Sequence, residues 1–234
     1  MTTERYWAVV PAAGVGRRMG GTLPKQFLRL GRQTVLEHSL DALWQSLHLQ
    51  GLVLVSDGHP VLASIQAQHR ERRLLRAAGG KERCHSVLNG LQTLRGRAGD
   101  DDWVLVHDAA RPCVRFQDLR QLVEATARHG TGGLLGVPVR DTMKRSDANG
   151  KVLATVERSG LWHAFTPQLF RYRLLHDALQ KAIADGYQVT DEASAVEHAG
   201  FQPLMVAGHA DNIKITRPED VPLAEFFLSQ QGRL

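Results

Sequence analysis

Cysteine is nearly absent from this chain. Cys84 and Cys113 are the only two in 234 residues, and no C-x-x-C pair occurs. A disulfide is not expected, and a reduced, cytoplasmic setting is. No apolar stretch approaches the ~20 residues that cross a bilayer. The opening M-T-T-E-R has no basic region followed by an apolar one, so no signal peptide is expected. Aromatic residues make up 6%, and none interleaves the densest basic run, R-E-R-R-L-L-R at 70–76. That run reads as a solvated face, not a nucleic-acid stripe. Eleven histidines are scattered without H-E-x-x-H, and G-x-S-x-G is missing. Neither a zinc site nor a nucleophile elbow is indicated.

What remains is an ordinary globular composition, 43% hydrophobic, with a formal charge of +5. That charge suits a polyphosphate substrate as well as it suits nucleic acid. Apolar runs alternate with helix-period segments. Strands are expected at Val9-Val10, at 52–55, 74–77, 103–106 and 133–137. Helices are expected from Val35 to Trp44 and over 61–68, 85–94 and 119–126. Strands spaced by helices imply a mostly parallel, Rossmann-like α/β sheet with helices on both faces. The pattern then changes. A turn signal, S-D-A-N-G at 146–150, separates extended segments at 142–145 and 152–156, which predicts a β-hairpin. Polar on both sides of its turn, the hairpin is expected to leave the core as an arm over about 139–160. Too small to be stable alone, it needs a partner surface, for which a second subunit is the obvious candidate. Helices return near 174–184, 192–198 and 219–228, the last opened by a Thr216-x-x-Glu219 capping box.

The most telling segment is residues 11–25, P-A-A-G-V-G-R-R-M-G-G-T-L-P-K, which follows the apolar run Y-W-A-V-V. A strand empties into a small-residue loop carrying Arg17, Arg18 and Lys25. The G-x-G-x-x-x-G spacing of Gly14, Gly16 and Gly20 is not the dinucleotide fingerprint, and the G-K-[ST] of a Walker loop is missing. Glycines alone would fit a plain tight turn equally well. The three cations shift the balance toward anion binding. Gly79, Gly80 and Lys81 form another strand-to-helix turn, with Ser86 placed either to cap the helix or to meet a base edge. His107-Asp108-Ala109-Ala110-Arg111-Pro112 lies at the carboxyl end of a strand, where open α/β sheets bind ligands. Asp108 there suits magnesium or a sugar hydroxyl, or pairs locally with Arg111. Asp211 and Lys214 are either a structural pair or a metal and a phosphate ligand side by side. Thr190-Asp191-Glu192 reads as a helix N-terminus whose hydroxyl or N–H groups could meet an anion. Charges flanking the hairpin, at 140–145 and 157–158, read by themselves as a soluble ribbon.

Taken in order, P-A-A-G-V-G-R-R-M, P-K-Q-F, V-H-D-A-A-R-P, P-V-R-D-T-M-K-R, G-L-W-H-A-F-T-P-Q, T-D-E-A-S and D-N-I-K-I-T-R-P-E-D strongly resemble the 2-C-methyl-D-erythritol 4-phosphate cytidylyltransferases, from about Val9 to Phe227. The resemblance implies a single nucleotidyltransferase domain over 1–234 and a cytoplasmic homodimer whose hairpin arms interlock. It implies CMP transfer from CTP to methylerythritol 4-phosphate, with magnesium and release of pyrophosphate. Arg18 and Lys25 would stabilise the transition state. Arg158, from the other subunit, and Lys214 would position the acceptor phosphate. Asp108, Arg111 and Thr142, with Thr166 and Thr190, would form the acceptor pocket. Ala12, Ala13, Gly80, Lys81 and Ser86 would form the cytosine pocket, Gly14 and Gly16 the phosphate loop, and Asp108 with Asp211 the metal ligands. Lys81 departs from the family pattern, which is harmless if contact there is through backbone. A ribitol 5-phosphate cytidylyltransferase would use the same loops with a different acceptor pocket. A non-catalytic nucleotide-binding protein would need neither both cations nor the acceptor residues. An oligonucleotide-binding protein would show strongly salt-dependent affinity.

Overall fold

The computed structural model describes residues 4–14, 23–69 and 72–234. Arg17, Arg18, Gly16 and the first part of the basic run lie outside these residues.

A seven-stranded sheet forms the centre. It contains β1 (Tyr6–Pro11), β4 (Leu49–Val55), β5 (Leu74–Ala77), β6 (Trp103–Val106), β7 (Gly132–Pro138), β10 (Trp162–Arg171) and β11 (Leu204–Ala207). Their spatial order is β11-β7-β10-β6-β1-β4-β5. Only β10 runs antiparallel to its neighbours, β6 and β7. Short strands β2 (Arg29–Leu30) and β3 (Gln33–Thr34) form a separate ribbon.

Residues Trp7–Val10, 52–55 and Trp103–Val106 of β1, β4 and β6 are apolar throughout because both faces are covered. Alternation still sorts them. Ala8, Val10, Leu52, Leu54, Trp103 and Leu105 face one cluster, under helices α1 (Val35–Ser46) and α4 (Phe116–His129). Trp7, Val9, Val53, Val55, Val104 and Val106 face the other, under α3 (Arg83–Thr93), α5 (Tyr172–Ala184) and α6 (Glu192–His198). Helix α2 (Val61–Gln68) precedes β5, and α7 (Asp220–Gln230) closes a third small cluster with Cys113 and Ile215. Helix α3 lies unusually close to the sheet. A Cβ on its Gly90 would stand 2.5 Å from Val9 Cγ1 and 3.0 Å from Val55 Cγ2, so only glycine allows this approach.

The expected strands and helices through residue 137 are all present. Besides the short β2 and β3, two strands of the central sheet were not anticipated. β10 carries Pro167 in its middle, and proline in a central strand removes a ladder donor. The sheet accommodates it with a register shift between Phe165 and Gln168. β11 is only four residues long. The expected Thr216–Glu219 capping box does not form. Helix α7 starts at Asp220, whose carboxylate accepts the N–H groups of Thr216 (2.7 Å) and Arg217 (2.9 Å).

The hairpin forms as expected from β8 (Met143–Ser146) and β9 (Val152–Val156), which pair only with each other. All of its strand residues except Val156 are exposed, including Met143, Val152 and Leu153.

Candidate active site

Strands β1, β4, β5 and β6 are mutually parallel. Their carboxyl ends therefore deliver the loops after Pro11, Val55, Ala77 and Val106 to one edge of the sheet. A cavity of about 480 Å³ opens there, at the position where open α/β sheets bind ligands.

Its floor is the first loop. The Ala12 N–H donates to Val55 O at 2.7 Å. Gln26 Nε2 donates to Ala12 O (2.7 Å) and Gly14 O (3.0 Å), pinning the loop from below. Gln26, just beyond Lys25, is the residue that shapes this loop, and the sequence pattern did not single it out. Lys25 itself lines the cavity and donates to Ile215 O at 2.6 Å.

One wall is the turn into α3. The Gly79 N–H donates to Asp57 Oδ1 (2.9 Å), and Asn89 holds the Ala78 and Gly79 carbonyls. The Gly80 N–H donates to Ser86 Oγ at 2.9 Å. Ser86 therefore does not cap α3, whose N-cap is Glu82. Its oxygen instead folds the glycine turn back over the helix start. Gly80, Lys81 and Ser86 all line the cavity.

The opposite wall centres on Asp108, 7% exposed at the end of β6. Three cations surround it. Arg83 Nε lies 2.9 Å from Oδ1, Lys214 Nζ 2.7 Å from Oδ2, and Arg111 Nε 3.7 Å from Oδ2. Arg83 also grips the fully buried Glu192 with two bonds, 2.6 and 3.1 Å. Burial would push the Asp108 carboxyl up, but Arg83, Lys214 and Arg111 outweigh it and hold it far below the usual carboxylate range. Burial likewise disfavours charge on Arg83, and the carboxylates of Glu192 and Asp108 overcome this to keep it protonated. These three cations face two carboxylates, which leaves one positive charge over. Arg83 and Glu192 were missed as site residues. The R in G-G-K-E-R and the E in T-D-E carried no signal of pairing across 109 positions.

Behind Asp108 lies a closed hydrogen-bond chain. His107 Nε2 meets Arg111 O at 2.9 Å, and a carbonyl can only accept, so Nε2 carries the proton. Nδ1 then accepts from the Thr166 hydroxyl (3.1 Å), whose oxygen receives the Asp108 N–H (3.0 Å). Thr166 is buried and supports the Asp108 backbone; it does not line the cavity. Burial lowers the His107 pKa to about 4, so the ring is neutral and both its nitrogens are engaged.

Lys214 arrives on the loop after β11, which is anchored at several points. The His209 N–H and ring bind the buried Asp118 (2.9 and 2.6 Å), Asn212 Nδ2 binds Thr166 O (2.9 Å), Arg111 binds Asn212 O (2.7 Å), and the Ile215 N–H binds Ala110 O (2.9 Å).

The expected site residues thus divide. Ala12, Ala13, Gly14, Lys25, Gly80, Lys81, Ser86, Asp108 and Lys214 meet at the cavity. Arg111 sits behind it over the Phe165 ring. Asp211 turns its Oδ2 to Arg115 (2.6 Å) and Gln231 (3.1 Å) and is not part of the cavity wall, although its buried Oδ1 has no partner among the described residues. Thr142 and Thr190 are exposed. Arg158 is exposed on the hairpin and donates to the Arg140 carbonyl. Of the two candidate magnesium ligands, Asp108 has the right chemistry and place: an ionised carboxylate on the cavity wall. It would exchange a cation contact for the metal.

A mostly parallel sheet with a cation-walled cavity at its strand ends, backed by a neutral, fully bonded His107, fits a nucleotidyltransferase. Residues 6–230 match the family described as 2-C-methyl-D-erythritol 4-phosphate cytidylyltransferase, and the chain belongs to that family. Proteins of that name from Hahella chejuensis and Pseudomonas entomophila are 48% and 50% identical to it, over 97% and 94% of this chain and 95% of each relative. One from Escherichia coli O1:K1 is 51% identical over 95% of this chain and 93% of its own. A crystal structure described as 4-diphosphocytidyl-2C-methyl-D-erythritol synthase superposes with a TM-score of 0.83 at 37% identity, covering 97% of this chain and 99% of that one. The Francisella tularensis cytidylyltransferase gives 0.80 at 31%, covering 96% and 100%.

Proposed function

We propose that this chain transfers CMP from CTP to 2-C-methyl-D-erythritol 4-phosphate. The products are pyrophosphate and 4-diphosphocytidyl-2-C-methyl-D-erythritol, an intermediate of non-mevalonate isoprenoid synthesis. The observation that carries this reading is the convergence of Lys25, Arg83 and Lys214 on one cavity within a chain of this family.

The chemistry suits the residues. The acceptor is a phosphate monoester, largely dianionic near neutral pH, and needs no general base. His107 is neutral, buried behind Asp108 and engaged at both nitrogens, so it does not serve as one. The barrier lies in bringing two anions together while charge accumulates on the α-phosphate. Fixed cations answer that need. Lys25, and Arg18 by the family resemblance, would stabilise the transition state. Lys214 is delivered by the anchored loop and held ready by Asp108. The small residues Ala12, Ala13 and Gly14, with the folded Gly80 turn, leave room for the nucleotide against backbone groups. Magnesium, held by Asp108 and the triphosphate, would neutralise phosphate charge.

The same reading makes the active form a homodimer. The exposed Met143, Val152 and Leu153 on β8 and β9 support an intersubunit arm, which would bring Thr142 and Arg158 to the partner's acceptor pocket. Cys84 and Cys113, both free and buried, agree with a cytoplasmic setting.

The test is a pyrophosphate-release assay with four nucleoside triphosphates and two acceptors. Turnover should require CTP and methylerythritol 4-phosphate. Equal or better turnover with ribitol 5-phosphate would replace the acceptor assignment, and CTP binding without turnover of either acceptor would reduce the chain to a nucleotide-binding protein.

A further inference from the structure

Beside the cavity, at the start of α3, stands a group of side chains that the transfer reaction does not use. Glu82, Cys84 and His85 bring a carboxylate oxygen, a thiol sulfur and a ring nitrogen within 4.8 Å of one another. Among the described residues this is the only group of three or more side chains of metal-binding type that converges so closely.

The spacing is that of a tetrahedral centre. Zinc binds sulfur at about 2.3 Å and imidazole nitrogen at about 2.0–2.1 Å. Two such ligands at a tetrahedral angle stand roughly 3.5 Å apart. Cys84 Sγ and His85 Nδ1 are 3.6 Å apart. Glu82 Oε2 is 3.9 Å from the same sulfur, on an exposed side chain that can close the difference. The backbone under the group is fixed. The Ser86 N–H donates to Glu82 O, and the Ser86 hydroxyl meets both Glu82 O and the Gly80 N–H.

The donor set also says which cation fits. Thiolate and imidazole favour zinc or cobalt, whereas magnesium prefers carboxylate and water oxygens. This group is therefore chemically distinct from Asp108. Burial pushes the Cys84 thiol up, so it is protonated when metal-free. On binding, the S–H bond breaks, the proton leaves to water, and a metal–sulfur bond forms.

We propose that Glu82, Cys84 and His85 form a site for a thiophilic divalent cation, zinc or cobalt, with a fourth position open to water at the rim of the nucleotide cavity. Glu82 lines that cavity directly. Occupancy places a second, soft cation next to the turn that holds Gly80.

The test is a cobalt titration of the full chain, free of nucleotide, followed by the thiolate-to-cobalt charge-transfer absorption and the ligand-field bands of four-coordinate cobalt. The expected result is one equivalent of cobalt giving both signals, with zinc abolishing them. Cys84→Ser should remove the charge-transfer band. Cys113→Ser should retain it, because Cys113 is fully buried against α7 and donates to Ala224 O at 3.6 Å. Glu82→Ala and His85→Ala, at sites that are not buried, should each weaken cobalt binding at least tenfold while far-ultraviolet dichroism stays that of the parent. No charge-transfer band in the parent protein, a band that survives Cys84→Ser, or unchanged affinity in both Glu82→Ala and His85→Ala would overturn the site. None of these readings depends on turnover.

Discussion

Lys214 Nζ lies 2.7 Å from Asp108 Oδ2, joining a loop beyond β11 to the end of β6. The pair joins two distant segments of the chain on one wall of the cavity, and each partner restrains the other. Arg83 holds Asp108 from its other oxygen, so under the proposed function the carboxylate would keep an anchor while Lys214 turned to a phosphate.

Replacing Lys214 by Met should therefore leave the fold intact and lower turnover by roughly 10²–10³, the cost of losing one preorganised charge. Pyrophosphate release measures the first quantity and the thermal midpoint the second. Turnover within threefold of the parent would remove Lys214 from the mechanism.

Lys25→Ala should behave similarly in rate, with a stability loss of about 1 kcal/mol from its bond to Ile215 O. A urea denaturation series beside the kinetic assay separates the two effects. A collapse of stability with normal residual activity per folded molecule would make Lys25 a structural residue.

Arg158→Ala should impair use of the acceptor while CTP binding survives, because Arg158 sits on the exposed hairpin away from the described cavity wall. Calorimetry with CTP is the check, together with KM for methylerythritol 4-phosphate. Loss of CTP affinity in this variant would mean that the hairpin serves a different part of the site.

Glu192 is fully buried, and its charge is matched by Arg83 alone among the described ion pairs. Glu192→Gln should cost about 2 kcal/mol in urea unfolding, since Arg83 keeps Asp108 but loses a charge-assisted bond to a buried carboxylate. The double variant Arg83→Met, Glu192→Leu should recover much of that stability yet remain slow, because Asp108 has lost a restraint. Full activity in the double variant would show that Arg83 does not position Asp108.

Acid should weaken the fold over a defined range. His107 is neutral when folded, with its pKa lowered to about 4, and takes up a proton near its ordinary 6.5 when unfolded. The unfolded state thus binds more protons between those values, so stability is complete above about pH 6.5 and declines toward pH 4, by about 3 kcal/mol at most. Burial lowers His38 and His69 as well and adds to the same slope. Asp108 contributes only below the ordinary carboxylate range. Thermal midpoints across this interval should fall with pH, and His107→Gln should flatten the dependence. An unchanged slope in that variant would assign the effect to other groups.

Much of this was legible in the sequence, for identifiable reasons. Strands β1, β4 and β6 carry continuous apolar runs, Trp7–Val10, 52–55 and Trp103–Val106, and α1 and α4 repeat their apolar residues at helical spacing, so local pattern sufficed. β10 was hidden because Pro167 contradicts a central strand unless a register shift absorbs it, which no local signal announces. At the cavity, Lys25, Gly80 and Asp108 stood out because loops after strands attract anions. Arg83 and Glu192 did not, because their significance is a pairing between distant segments. Ser86 was ambiguous by type, and its bond to Gly80 became visible only in three dimensions.

Gly90 has a reach beyond its own contacts. Arg83 and Ser86 sit on the first turn of the same helix, about 10 Å and about 6 Å along the axis from it. With no side chain to hold it off, α3 rests directly on Val9 and Val55, and this seating sets how far its leading turn stands from Ala12 and Gly14. The gauge of the nucleotide crevice is thus determined at its far end, by a missing methyl that touches no ligand.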